Sequence, residues 1–147
     1  MDRQELLDRE ERSWAAFWAE VGRVPEGMRA NGDALPGWSV HDLVWHCAKW
    51  ADFCGEHFES LGSGSFVDPF DAHPDEYWDG VNADIANESK ALPWDEVQAG
   101  APRARARARA ALMAPPDVAE DAARWWGEET FVHYDEHAEH VRAFVDG

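Results

Sequence analysis

His133 and His137 stand one helical turn apart in the run HYDEH, and His46 lies in an apolar segment 87 residues before the first of them. Side chains at i and i+4 share one helix face. Two imidazoles so placed can grip one metal ion, and a third from a facing helix completes the set. Three protein ligands leave coordination positions free for water or substrate, which is the arrangement of a catalytic metal. Imidazole suits zinc, and nickel, iron and manganese are compatible with it. The spacing therefore predicts that His46, His133 and His137 approach a common point and hold a divalent metal ion.

The elements that must position these residues read as helices. On 39–61, Val40, Val44, Cys47, Ala51, Cys54 and Phe58 form an apolar stripe at helical spacing. Beside it run Leu43, His46, Trp50, Phe53 and His57. On 128–145, Phe131, Tyr134, Ala138, Val141 and Val145 make the stripe, flanked by Trp126, Thr130, His133, His137 and Phe144. Each helix thus carries its histidines along the edge of its core face. Ser39 and Asp42 form a capping box at the start of the first, with Trp38 and Leu43 as a hydrophobic staple. Asp42 and Glu129, one turn before His46 and His133, are candidate acceptors for the free ring nitrogens. Trp50, Phe53 and Trp126 are the expected pocket walls.

Further helices are expected over 3–21, about 75–89, and from Pro93 to Pro115-Pro116. Gly100 and Pro102 should bend or interrupt the last of these, and Gly127 should stand near the start of the final helix. Residues 22–38 and 61–74 read as loops, the second Gly-, Ser- and Pro-rich. The expected fold class is all-α, a single domain over 1–147, with a core that this length can bury.

Charge and composition exclude several partners. Thirteen basic against thirty acidic residues give a net charge of −17. That field repels a phosphate backbone and an anionic membrane surface, so neither nucleic acid nor membrane is an expected partner. No apolar run is long enough to span a bilayer. MDRQELLDREER is charged from its second residue, without the apolar core of a secretory signal, and points to the cytoplasm. Cys47 and Cys54, seven residues apart on one helix, are roughly 10 Å apart along its axis. They are read as small buried hydrophobes without a disulfide.

Two patterns are read blandly. RARARARA at 103–110 alternates like a strand, but Arg and Ala are good helix formers. Its four arginines are read as a solvated face paired with nearby acids, not as an anion site. HYDEH also contains H-x-x-E-H with Glu136, the inverzincin pattern. Only ten residues follow His137, with no separate downstream element to supply a further ligand, so a protease is not expected. His140, three residues after His137, is placed as a rim or second-layer residue.

PGWSVHDLVWHCAKW and WWGEETFVHYDEHAEHVRAF together resemble the two signature helices of the DinB-like (YfiT-like) superfamily. The resemblance implies a four-helix bundle of up-down-down-up topology, with a divalent metal held by His46 from the second helix and His133 and His137 from the last. Members with assigned activity include mycothiol-dependent maleylpyruvate isomerase and other low-molecular-weight-thiol transferases. The resemblance thus implies a thiol-dependent S-transferase or detoxifying enzyme acting on a small-molecule substrate, with mycothiol, bacillithiol or a similar thiol as cofactor. A non-catalytic module that sequesters a small toxic compound and confers resistance is a second class, and a metal-dependent hydrolase a further one. The last class is an assembly bundle whose many tryptophans cover an interface, as in a homodimer.

Overall fold

Two capping boxes set the chain's first two long helices. Asp2 Oδ1 accepts from the Glu5 amide (2.9 Å), while the Asp2 amide donates to Glu5 Oε2 (2.7 Å). Ser39 Oγ accepts from the Asp42 amide (3.2 Å), and the Ser39 amide donates to Asp42 Oδ2 (3.0 Å). Each box satisfies two amides that the first turn would leave unpaired. The computed structural model describes residues 1–147. Five helices make up the fold: α1 (Arg3–Arg23), α2 (Val40–Leu61), α3 (Asp75–Lys90), α4 (Trp94–Met113) and α5 (120–146). There is no strand, only one bridge pairing Leu35 with Trp38 in the α1–α2 loop. No helix is long and apolar enough to cross a membrane.

The core has two layers. The first gathers Phe17, Val21, Val40, Leu43, Val44, Cys47, Val97, Ala101, Tyr134, Ala138 and Val141. The second gathers Leu6, Leu7, Cys54, Phe58, Ala111, Leu112, Ala122, Trp125 and Trp126. Chain direction follows from this division. α1 and α5 run from the second layer to the first, whereas α2 and α4 run from the first to the second. The apolar stripes expected on α2 and on the final helix are therefore the faces that meet. Cys47 and Cys54 are buried free thiols, as expected.

α3 lies outside this set, antiparallel along α2. At its middle, the Trp50 indole of α2 donates to Asn82 Oδ1 (2.9 Å). At its end, Ser89 Oγ donates to Asp42 Oδ1 (2.7 Å) and Lys90 Nζ to Asp42 Oδ2 (2.9 Å). The 62–74 loop turns back over the aromatic face of α2. Its single 3-10 turn, Pro69–Ala72, places Phe70 5.7 Å from Trp50 and 5.0 Å from Trp78.

Two local expectations are corrected. α4 runs unbroken through Gly100 and Pro102. Pro102 is exposed, and so is Gln98, whose carbonyl loses its helical donor, so water can serve that carbonyl. Gly100 fits because the Trp45 ring occupies the space a Cβ would need, 2.9 Å from it. Gly127, expected near a helix start, sits inside α5. That helix begins at Glu120, passes through a π-helical stretch at Glu128–Val132, and resumes α geometry at His133–Asp146. The Phe131 ring lies 2.6 Å from where a Cβ on residue 127 would stand. Glycine is thus a packing choice here and not a terminator.

The tryptophans pack within the chain to different extents. All nine are buried or half-buried within the chain, and none is among its exposed large hydrophobics.

Candidate metal centre

α2 presents His46 six residues past its first residue, Val40. α5 presents His133 at the end of the π stretch and His137 one turn later. The π stretch adds part of a turn between Trp125-Trp126, committed to the second core layer, and Tyr134, committed to the first. That rotation lets one helix satisfy both layers while aiming two imidazoles at α2.

The three imidazoles converge. His46 Nε2 lies 2.9 Å from His133 Nε2, which lies 3.0 Å from His137 Nε2. Ring centroids are 4.7, 4.6 and 5.1 Å apart for the three pairs. One coordinating atom from each fits within 4.8 Å of the others. His46 and His137 are buried and His133 is half-buried. All three sequence-predicted ligands are thus brought together, and no carboxylate or thiol joins the group.

The donor chemistry of this cluster fits a cation. A neutral imidazole nitrogen carries either one hydrogen or one in-plane lone pair. His133 Nε2 faces two other ring nitrogens, so it can make at most one linear hydrogen bond. A cation between them would take all three lone pairs. Nitrogens about 2.05 Å from a tetrahedral ion stand about 3.3 Å apart, a few tenths of an ångström wider than the contacts here. Burial, reinforced by the neighbouring imidazoles, pushes all three histidines down to about 3. They are neutral at neutral pH, the form that coordinates metal.

The surroundings differ from expectation. Asp42 does not reach His46; its carboxylate is taken by Ser39, Ser89 and Lys90. Nor does Glu129 bond His133: the Nδ1 atoms of His46 and His133 are buried without partners. Only His137 has one, its Nδ1 lying 3.1 Å from His140 Nδ1. Of the expected walls, Trp50 stands 6.5 Å from His46, and Phe53 lies beyond it, 5.3 Å from Trp50. Trp126 is fully buried in the second core layer, its indole donating to the Ala108 carbonyl (2.9 Å). Trp38 takes a wall position instead, its ring 4.6 Å from His46. Its place beside the Ser39 capping box was the available signal, since a residue just before the cap folds back toward the first turns. Glu136, between the paired histidines, is exposed.

With Gly127 inside α5, the paired histidines do not lie near a helix start as His46 does. His46 lies early in α2, but His133 stands at the middle of the 120–146 run. The 62–74 loop packs on Trp50, one turn along α2 from His46.

Compared with known proteins, the chain matches no family model, no curated protein and no solved structure.

Proposed function

We propose that His46, His133 and His137 hold a divalent metal ion, zinc by preference, and that the protein uses it to act on a small molecule with a low-molecular-weight thiol. The observation that carries this reading is the convergence of three neutral Nε2 atoms on one point without any hydrogen that could satisfy them all. A bound divalent ion would supply the positive charge that turns a thiol, or a water, into its nucleophilic anion near neutral pH. The chain's own part is to keep three imidazoles unprotonated and to fix their directions. Trp38 and Trp50 wall His46 with apolar surface, which keeps water off that ligand. The opposed directions of α1 and α5 against α2 and α4 support the up-down-down-up bundle that the DinB-like resemblance implies.

The buried cysteines do not serve as the thiol. Burial, with Glu129 nearby, raises Cys54 far above its ordinary value, and burial likewise suppresses ionisation of Cys47. The nucleophile must therefore arrive from outside, as mycothiol, bacillithiol, glutathione or a comparable thiol.

Elemental analysis of the purified protein should find about one divalent ion per chain, lost in His137→Ala. The metal-loaded protein should accelerate thiol addition to an electrophile such as monochlorobimane, and His133→Ala should abolish this while far-UV circular dichroism stays near wild type. Unchanged metal content in His137→Ala would overturn the site. Metal-loaded protein that accelerates no thiol reaction, yet binds a small molecule tightly, would replace the transferase by the sequestration reading.

A further inference from the structure

The three histidines are not equivalent. Each would meet a cation through Nε2, which leaves each Nδ1 carrying the ring hydrogen. For His46 and His133 that hydrogen faces no acceptor. For His137 it points at His140 Nδ1, 3.1 Å away. His140 is three residues further along α5 and half-buried.

With a cation on His137 Nε2, this contact sets both tautomers. With the His137 hydrogen on Nδ1, His140 must offer a lone pair at its own Nδ1 and carry its hydrogen on Nε2. The same contact excludes His140 as a fourth ligand to the same ion, because it touches the face of His137 opposite the cluster. The ring centroids of His137 and His140 are 5.2 Å apart at 45°, consistent with an edge nitrogen-to-nitrogen contact and not with stacking.

We infer that His140 is a positioning residue for the metal centre: by accepting from His137 Nδ1 it locks His137 in the one tautomer that leaves Nε2 free for the metal. Because this inference rests on the metal reading of the triad, its test must separate the two. An acceptor behind a ligating histidine fixes ring orientation and raises its basicity, and losing it weakens metal affinity about 10–100-fold. With the other two Nδ1 atoms unpartnered, this single bond is the centre's only such support among side chains. A further consequence is an order among the ligands, with His137 the most firmly oriented.

The experiment titrates Zn²⁺ alone against a chromophoric chelator in wild type, His137→Ala, His140→Leu and His140→Asn. Asn places its Oδ1 where His140 holds Nδ1, so it restores the acceptor without the ring. Wild type should bind one Zn²⁺ per chain, His140→Leu should bind it about 10–100-fold more weakly, and His140→Asn should return close to wild type. In the metal-free protein, ¹⁵N-edited NMR should show His137 as a single Nδ1–H tautomer in wild type and His140→Asn, and as a mixture in His140→Leu. Wild-type affinity in His140→Leu, or loss of affinity in His140→Asn as large as in His140→Leu, would overturn the role of His140 while leaving the triad intact. Failure of wild type to bind Zn²⁺ would overturn both readings. Circular dichroism of each variant separates unfolding from a local effect, and the tautomer readout does not move for a merely structural His140.

Discussion

At the scale of single residues, burial decides which groups ionise. The triad histidines are neutral because their rings are out of water and beside one another. The same effect acts in the opposite direction on Glu129, one turn before His133. Burial, then the carboxylates of Glu128 and Asp68, push Glu129 up to about 8. No cation is paired with it, in contrast to Glu10, which is fully buried yet held by Arg105 and Arg109 at 2.8 Å each. Between its ordinary value of 4.5 and about 8, the folded chain keeps a proton on Glu129 that the unfolded chain has released. Stability therefore falls as pH rises through that window. Glu129→Gln removes the titration, so it should raise the thermal midpoint more at pH 8.5 than at pH 5. Equal shifts at the two pH values would show that Glu129 is not held protonated.

At the scale of elements, α4 contradicts the rule that proline ends a helix. Pro102 removes the donor to the Gln98 carbonyl, and in a helix interior proline is disfavoured by about 3 kcal/mol relative to alanine. The helix persists because its ends and one face are tied down. Val97, Ala101, Ala108 and Leu112 are buried in the core. Arg105 and Arg109 grip Glu10 of α1, and Arg107 reaches Asp52 and Glu59 of α2. Those tertiary links are non-local, which is why local pattern alone suggests a break. Pro102→Ala, on the solvent face, should stabilise the protein by about 1–3 kcal/mol, read from the midpoint of urea unfolding at unchanged slope. A lowered midpoint would mean that the proline accommodates a bend the packing requires. The π stretch in α5 is a second feature invisible to periodicity. Trp125-Trp126 and Tyr134 each fit a helical stripe, but only the two core layers together demand the extra residue between them.

At the scale of the whole molecule, what could be read from the sequence is what depends on neighbours a few residues apart. The Ser39–Asp42 box, the buried stripes of α2 and α5, and the i, i+4 pair of His133 and His137 are of this kind, and each lies where its spacing places it. Bringing His46 to that pair was legible too, because both helices carry histidines at the edge of a core face. Features set by distant partners were not: Trp126 drawn away from the histidines to the Ala108 carbonyl, Ser89 and Lys90 on Asp42, and α3 lying outside α2. The arginine repeat shows both sides. Its helical state follows from residue propensity, whereas its partners are supplied by α1 and α2. Arg105, Arg107 and Arg109 are each paired with carboxylates 2.6–3.1 Å away, so the one basic run of a chain with net charge −17 is largely neutralised in place. A duplex would have to break those pairs and approach through the surrounding acidic field before gaining any counterion release. Duplex DNA should therefore give no gel shift with micromolar protein at physiological salt. A retarded band that fades as salt is raised would show that the arginines are free to meet phosphate.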